Sequence, residues 1–332
     1  MQKIRLGIIG CGGIMNAHVN EWKGFDDIEV AAVADPILER REAMAKKFGA
    51  RGIYADHRAL FDGEKSLDAL FIGVPPAEHK GIEEAAIERK WHFKVEKPMT
   101  LDGKQAAAIA EGAAKAGIIT AVGFQDRYME ICDRIKEALC EVDVGIVHGT
   151  WAGGIPRVQW WIRYPTCGGQ LTEQNIHLVD MLRYFLGEID EVYAREVKVD
   201  GLVNADVDCP GYDNQDASVA MFTMKSGIVA TMMSACYLIG GSVNPVNGLT
   251  MIGRQCTIEY NLRKHVRFVT RGSDLCYLHS NNQMADSDRA FFDAIKKGDP
   301  SGIRSTYGDA LLSLNACLAA NESMATGKPV KL

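Results

Sequence analysis

The sequence predicts an α/β fold over residues 1–122, a doubly wound parallel sheet, followed by an α+β domain over residues 123–332. Three observations lead there. Strand-like and helix-like segments alternate with short links through the first part. A glycine turn joins the first strand to the first helix. Beyond it, β-branched runs separated by turns replace the alternation. At 332 residues the chain exceeds one ordinary core, so two domains are expected.

The elements follow in order. Ile4 to Ile9 is a short apolar run ending at Gly10, and a helical pattern runs from about Ile14 to Trp22. Ile28 to Ala34 reads as a second buried strand closed by Asp35, and Ile37 to Phe48 as a helix charged on one face. Tyr54 precedes another helix-like stretch, and Asp68 to Val74 is a third strand ending at Pro75-Pro76. A helix through Ile82 to Ile87 leads to the strand His92 to Val95. The alanine-rich helix Gln105 to Ala116 leads to the strand Ile118 to Val122. Such alternation buries a parallel sheet on both faces.

The turn Gly10-Cys11-Gly12-Gly13-Ile14-Met15 carries the first chemistry. Gly10 permits the tight turn, Gly12 lets backbone approach a pyrophosphate, and the amides opening the helix face its negative charge. Met15 stands where a third glycine or alanine is usual in a Rossmann dinucleotide-binding domain. Asp35 ends the second strand, where a carboxylate accepts hydrogen bonds from the adenosine ribose hydroxyls and repels a 2′-phosphate. Arg40 and Arg41 read as too far along the next helix to bind that phosphate. The expected cofactor is NAD.

Composition narrows the classes. Hydrophobic residues at 47% and charged residues at 24% suit a soluble globular protein. A formal charge of -6 argues against nucleic acid, and no apolar run is long enough for a bilayer. The opening MQKIRLGIIGCGG reads as a strand and turn, not a signal peptide. Nine scattered cysteines without a C-x-x-C pair point to reduced thiols, a cytoplasmic location and no metal site.

Further motifs lie at strand ends: Val74-Pro75-Pro76-Ala77-Glu78-His79, Val95-Glu96-Lys97-Pro98 and Gly123-Phe124-Gln125-Asp126-Arg127-Tyr128. Downstream come Gly168-Gly169-Gln170-Leu171-Thr172-Glu173-Gln174-Asn175-Ile176-His177-Leu178-Val179-Asp180 and Thr326-Gly327-Lys328-Pro329-Val330. Together they resemble the Gfo/Idh/MocA family, which includes glucose–fructose oxidoreductase and inositol dehydrogenase. The resemblance implies a second domain built on an open, mostly antiparallel sheet whose outer face forms a homodimer or homotetramer interface. The runs Val144 to Trp151, Val192 to Val199, Ala217 to Lys225, Gly227 to Cys236 and Gly248 to Tyr260 agree, with Lys225-Ser226-Gly227 as a hairpin turn.

The resemblance also implies the catalytic set. Lys97 contacts the hydroxyl that is oxidised, and an ammonium suits a developing alkoxide. His177 is the general base and Glu173 orients it, although the longer Glu173, where aspartate is usual, leaves open an exchange of roles. The segment after Gly169 reads as one helix to about Leu186, stopped by Gly187, which puts Glu173, His177 and Asp180 on one face. Asp180 serves either the site or the packing of that helix. Trp160, Trp161, Arg163 and Tyr237 are candidate walls of a substrate pocket, with core packing as the other reading. Val74, Pro75, Glu96 and Lys97 are expected to line the cofactor, and His79 and Arg127 either to frame it or to be structural.

The function expected is oxidation of a secondary hydroxyl of a sugar, sugar derivative or cyclitol by NAD, or the reverse reduction. The alternatives are an NAD-retaining non-redox enzyme such as a glycosidase, and a dinucleotide-binding sensor or co-regulator.

Overall fold

A computed structural model describes residues 3–199, 202–203, 209–238 and 247–332. The chain forms two compact units. One comprises Met1–Gln125 with Asn282–Leu311, the other Asp126–Asn281 with Leu312–Leu332. A single break after residue 122 therefore does not describe the division.

In the first unit, β1 (Ile4–Ile9), β2 (Ile28–Ala34), β3 (Gly52–Tyr54), β4 (Ala69–Ile72), β5 (His92–Val95) and β6 (Thr120–Val122) form a parallel sheet in the order β3-β2-β1-β4-β5-β6. The order reverses between β1 and β4, so their carboxyl ends open a crevice there. The helices α1 (Gly13–Glu21), α2 (Leu38–Phe48), α3 (His57–Gly63), α4 (Ile82–Glu88) and α5 (Gly103–Ala116) alternate with the strands. Only β3 was not anticipated. It is three residues long at the sheet edge with Ile53 exposed, too short for a period of two to register.

The segment after Asn282 returns to this unit for a physical reason. Its helix buries Phe291, Phe292 and Ala294 in one apolar cluster with Trp22, Val33, Met44 and Phe71. Burying two phenylalanine side chains contributes about 3–6 kcal/mol.

The second unit opens with α6 (Ile131–Leu139) and β7 (Val144–Ala152), continues through α7 (Tyr164–Cys167), α8 (Gln170–Glu173) and α9 (Ile176–Leu186), and then turns to strands. These are β8 (Ile189–Val197), β9 (Ala217–Met224), β10 (Val229–Ala235), β11 (Gly248–Gly253), β12 (Thr257–Asn261), β13 (His265–Val269) and β14 (Asp274–Leu278). The chain then forms α10 (Gln283–Lys297), which belongs to the first unit, and α11 (Tyr307–Thr326), which passes from the first unit into the second at Leu312, before a last short strand of the second unit, β15 (Val330–Lys331). The nine strands order as β14-β13-β12-β11-β7-β10-β9-β8-β15. Among the described residues of this sheet, only the β7–β10 pair is parallel.

The hairpin between β9 and β10 turns at Lys225-Ser226-Gly227, with Gly227 at φ +88° and Met224 N–H bonded to the Ile228 carbonyl. The run Gly248 to Tyr260 splits into β11 and β12. β13 and β14 were not expected, because outer residues such as Leu275 and Leu278 are exposed and no clean alternation marks them. One face of the sheet is buried through Val147, Phe222, Met232, Met251 and Tyr260. No helix among the described residues is long and apolar enough to cross a membrane.

Candidate active site

The glycine turn lies at the β1/β4 crevice. Gly10 adopts φ +87°, and a β-carbon there would stand 2.5 Å from the Gly73 carbonyl oxygen and 3.0 Å from Val74 Cγ1. No other residue fits. Around Gly13 nothing approaches within 4 Å of a β-carbon position, and no side chain caps α1. The amides opening α1 thus border clear space, the geometry that suits a pyrophosphate. Met15 is fully buried, its Cε 3.0 Å from the β-carbon position of Gly73. Gly73 thereby provides the close helix–strand approach that a third glycine would give; the Met15 side chain turns into the core.

Asp35 is buried at the end of β2. Its Oδ2 accepts from Cys11 N–H at 2.8 Å and its Oδ1 from Ile37 N–H at 2.8 Å. Each oxygen keeps a second lone pair for a ribose hydroxyl. Glycine turn, uncapped helix and acceptor together fit the adenosine diphosphate part of a dinucleotide. Arg40 lies nearer than expected: its Nη1 is 3.9 Å from the β-carbon position of Gly12. Helical side chains lean toward the N-terminus, which brings an arginine in the first turn of α2 back to the preceding loop. Arg41 instead donates to the backbone oxygens of Asp35 and Pro36.

Lys97 follows β5 and is half-buried. Its neighbour Glu96 is buried and points inward, Oε1 sitting 2.9 Å from His18 Nε2. The other ring nitrogen of His18 lies 2.8 Å from Asp288 Oδ2, and Asp288 also accepts from Lys94 at 2.7 Å and Trp22 Nε1 at 2.6 Å. Burial opposes charge on His18, but the Asp288 carboxylate, with Glu96, outweighs it and raises its pKa to about 9. Glu96 thus pairs with a buried network and not with open space. His79 is also turned inward, its Nδ1 bonded to the buried carboxylate of Glu83. Pro75 is half-buried beside Val74 after β4.

The catalytic candidates of the second unit lie on a broken helix. α8 ends at Glu173 and α9 begins at Ile176, so Glu173, His177 and Asp180 do not share one continuous helical face. Asn175 marks the break, its Nδ2 donating to Ser234 Oγ on β10 at 2.6 Å. Each of the three side chains has its own partner. Trp161 Nε1 donates to Glu173 Oε2 at 2.5 Å. His177 is 5% exposed, with Nδ1 3.4 Å from Asp126 Oδ2 and its ring stacked on Trp151 at 6.0 Å and 17°. Asp180 accepts a two-pronged bond from Arg127 at 2.7 and 2.6 Å and another from Ser313 at 2.7 Å. Arg127 and Asp180 are therefore a buried pair, which favours the structural reading of Arg127.

Trp161 is buried beside Cys209, Tyr212 and Cys236, so it is a core residue whose one polar atom reaches Glu173. Trp160 packs against the same cluster. Arg163 is bound to the Gly211 carbonyl and lies 3.7 Å from Asp213. Tyr237 is half-buried just past β10.

Residues 4–124 match the model of an oxidoreductase family with an NAD-binding Rossmann fold, and residues 142–259 match the GFO/IDH/MocA C-terminal domain. The chain belongs to the Gfo/Idh/MocA family. It is 26% identical over 341 aligned positions to myo-inositol 2-dehydrogenase of Thermotoga maritima, covering 99% of this chain and 98% of that one. Levoglucosan dehydrogenase, solved with NADH, has the same fold, with a TM-score of 0.85 at 19% identity over 99% of each chain. The WlbA dehydrogenase from Bordetella pertussis, solved with NADH and UDP-GlcNAcA, superposes with a TM-score of 0.83 at 19% identity, over 100% of this chain and 99% of that one.

This Gfo/Idh/MocA chain has an NAD-binding Rossmann domain and is an oxidoreductase. Three site neighbours escaped sequence reading: Asp126, Trp151 and Arg263. Asp126 stood inside the Gly123 to Tyr128 motif, so the motif was the available signal. Trp151 ended an expected strand, and Arg263 lies in a β-turn at φ +58° that no local pattern marks.

Proposed function

We propose that the protein is an NAD-dependent dehydrogenase that oxidises a secondary hydroxyl of a sugar, sugar derivative or cyclitol, or reduces the corresponding ketone. The observation that carries this reading is the buried His177, aimed by Nδ1 at a carboxylate, on a chain that also keeps Lys97 after β5. A pure dinucleotide sensor needs neither. The names of the relatives, an inositol dehydrogenase and a levoglucosan dehydrogenase, support the substrate class.

NAD, when bound, supplies the hydride acceptor at nicotinamide C4. The turn at Gly10, Gly12, Gly13 and Ile14, with Asp35, would hold its adenosine and pyrophosphate, beside Val74 and Pro75. The side chains of Met15, His79 and Glu96 serve the first unit's packing. His177 takes the proton of the substrate hydroxyl, a task suited to an imidazole, whose ring nitrogens both take up and release protons. The Lys97 ammonium stabilises the oxygen as charge grows on it. Glu173, anchored by Trp161, offers an acceptor to a second substrate hydroxyl, and Tyr237 is a candidate wall.

NADH accumulation across a panel of sugars, cyclitols and sugar acids tests the reaction. Net NADH with at least one of them is expected. Turnover of a glycoside without net NADH would favour the NAD-retaining reading, and no turnover with tight dinucleotide binding the sensor reading.

The outer face of the second sheet supports a homodimer or homotetramer. Ile146, Val219, Met221, Met233 and Ile252 are all 37–49% exposed there. Ile146 is paired across strands with Ile252, and Met233 with Val219. His148, Thr150 and Thr231 are interspersed with these apolar residues on the same face; exposed apolar clusters with polar neighbours mark interfaces, and identical copies cover one symmetrically.

A further inference from the structure

We infer that Asp126 is the residue that positions His177, fixing which ring nitrogen carries the proton; the inference rests on the reading of His177 as the base. Asp126 lies in a tight 3-10 turn, Gln125–Tyr128, and is 1% exposed. Its carboxylate stands between two partners. Arg263 donates Nε to Oδ1 at 2.6 Å and Nη2 to Oδ2 at 3.0 Å. His177 presents Nδ1 to Oδ2 at 3.4 Å.

An arginine has donors only, and an ionised carboxylate accepts only. Arg263 thus holds Asp126 in place and keeps it an acceptor. A neutral imidazole facing an acceptor through Nδ1 must carry its proton there, which leaves the lone pair on Nε2 to receive the substrate proton. At 3.4 Å the pair is within ion-pair range but longer than a normal hydrogen bond, and contacts of this kind commonly tighten only when substrate binds. Trp151, stacked on the ring, allows rotation in its own plane and resists tilting.

Other groups near Asp126 do not compete for this role. Tyr260 faces it, and burial holds that phenol well above its ordinary pKa, so it stays neutral through the working range. Cys132 Sγ reaches the Asp126 backbone oxygen at 3.3 Å. Glu173, the orienting group expected from sequence, is engaged by the Trp161 indole.

Asp126→Asn is the decisive substitution. The shorter of the two Arg263 bonds, from Nε, takes the amide oxygen; the NH2 then faces Arg263 Nη2 and His177, which weakens the arginine pairing and selects the opposite tautomer, with the proton on Nε2. Turnover should fall by about 10²–10⁴-fold, the range for an imidazole held in the wrong tautomer, with KM and NAD affinity changed less than about threefold. Asp126→Glu keeps an acceptor and should recover part of the loss.

The tautomer is also read without substrate. Nitrogen-15 NMR of histidine-labelled wild-type protein, with His177 assigned from His177→Gln, should show a protonated Nδ1 and a bare Nε2 above the ring's titration. Asp126→Asn should invert the pattern. A wild-type spectrum with the proton on Nε2 overturns the assignment, whether or not the variant folds. Full turnover of Asp126→Asn on an identified substrate overturns it equally. Absence of any dehydrogenase activity in the wild type would instead count against the proposed function and leave the spectrum to decide Asp126.

Discussion

Raising the pH from 6.5 to about 9 should remove a defined increment of stability that depends on His18. The buried ring lies between Asp288 and Glu96, with the Phe71 ring edge-on at 4.8 Å, and its pKa is raised from 6.5 to about 9. In the unfolded chain the same ring titrates near 6.5. Because the folded value is the higher one, the folded state holds an extra proton throughout the interval. The contribution is complete below pH 6.5 and is lost as pH rises through 9. At about 1.4 kcal/mol per pH unit the interval is worth about 3 kcal/mol.

The assay is urea unfolding of the wild type and of His18→Gln, followed by tryptophan fluorescence, from about pH 6 to about pH 10. Only the difference between the proteins is used, so titrations common to both cancel. That difference should shrink by about 3 kcal/mol across the interval and stay flat above it. A difference independent of pH would refute the reasoning, because His18 would then be neutral in the folded protein.

Two further outcomes are expected. The wild type should bind NAD about tenfold more tightly than NADP, from repulsion between Asp35 and a 2′-phosphate. Asp35→Ser should close that gap, the more so because Arg40 already stands at the turn, while lowering NAD affinity through loss of the bonds to Cys11 and Ile37. Dinucleotide titration of the apoprotein measures both, and equal or tighter NADP binding by the wild type would sink the Asp35 assignment. Light scattering should find a dimer or tetramer, and Met221→Glu on the outer sheet face should shift it toward the 36.4 kDa monomer. A wild type that is monomeric at micromolar concentration contradicts this.

What could be read from the sequence was local. The strand–turn–helix at Gly10 and the acceptor at Asp35 depend on backbone conformations that a few adjacent residues dictate, and the structure places them at one crevice. Chemistry carried by distant pairs was hidden. Asp126 meets Arg263 across 137 positions, and His18 meets Asp288 across 270. No periodicity announces such contacts. Helical spacing misled at Glu173 and His177, since Asn175 is compatible with a helix but anchors to Ser234 and breaks it. The return of Asn282–Leu311 to the first unit was equally silent, because an amphipathic helix such as α10 does not declare which core it enters.

The central claim is that Lys97 and His177 act on the reacting hydroxyl of an NAD-dependent dehydrogenase. The most direct test is NADH formation on one confirmed substrate by the wild type, Lys97→Ala and His177→Ala, with NAD affinity measured for each. Both variants should lose at least about 10²-fold in turnover, the scale of a lost general acid–base group, while NAD affinity stays within about threefold. Near-normal turnover in both variants would contradict the account.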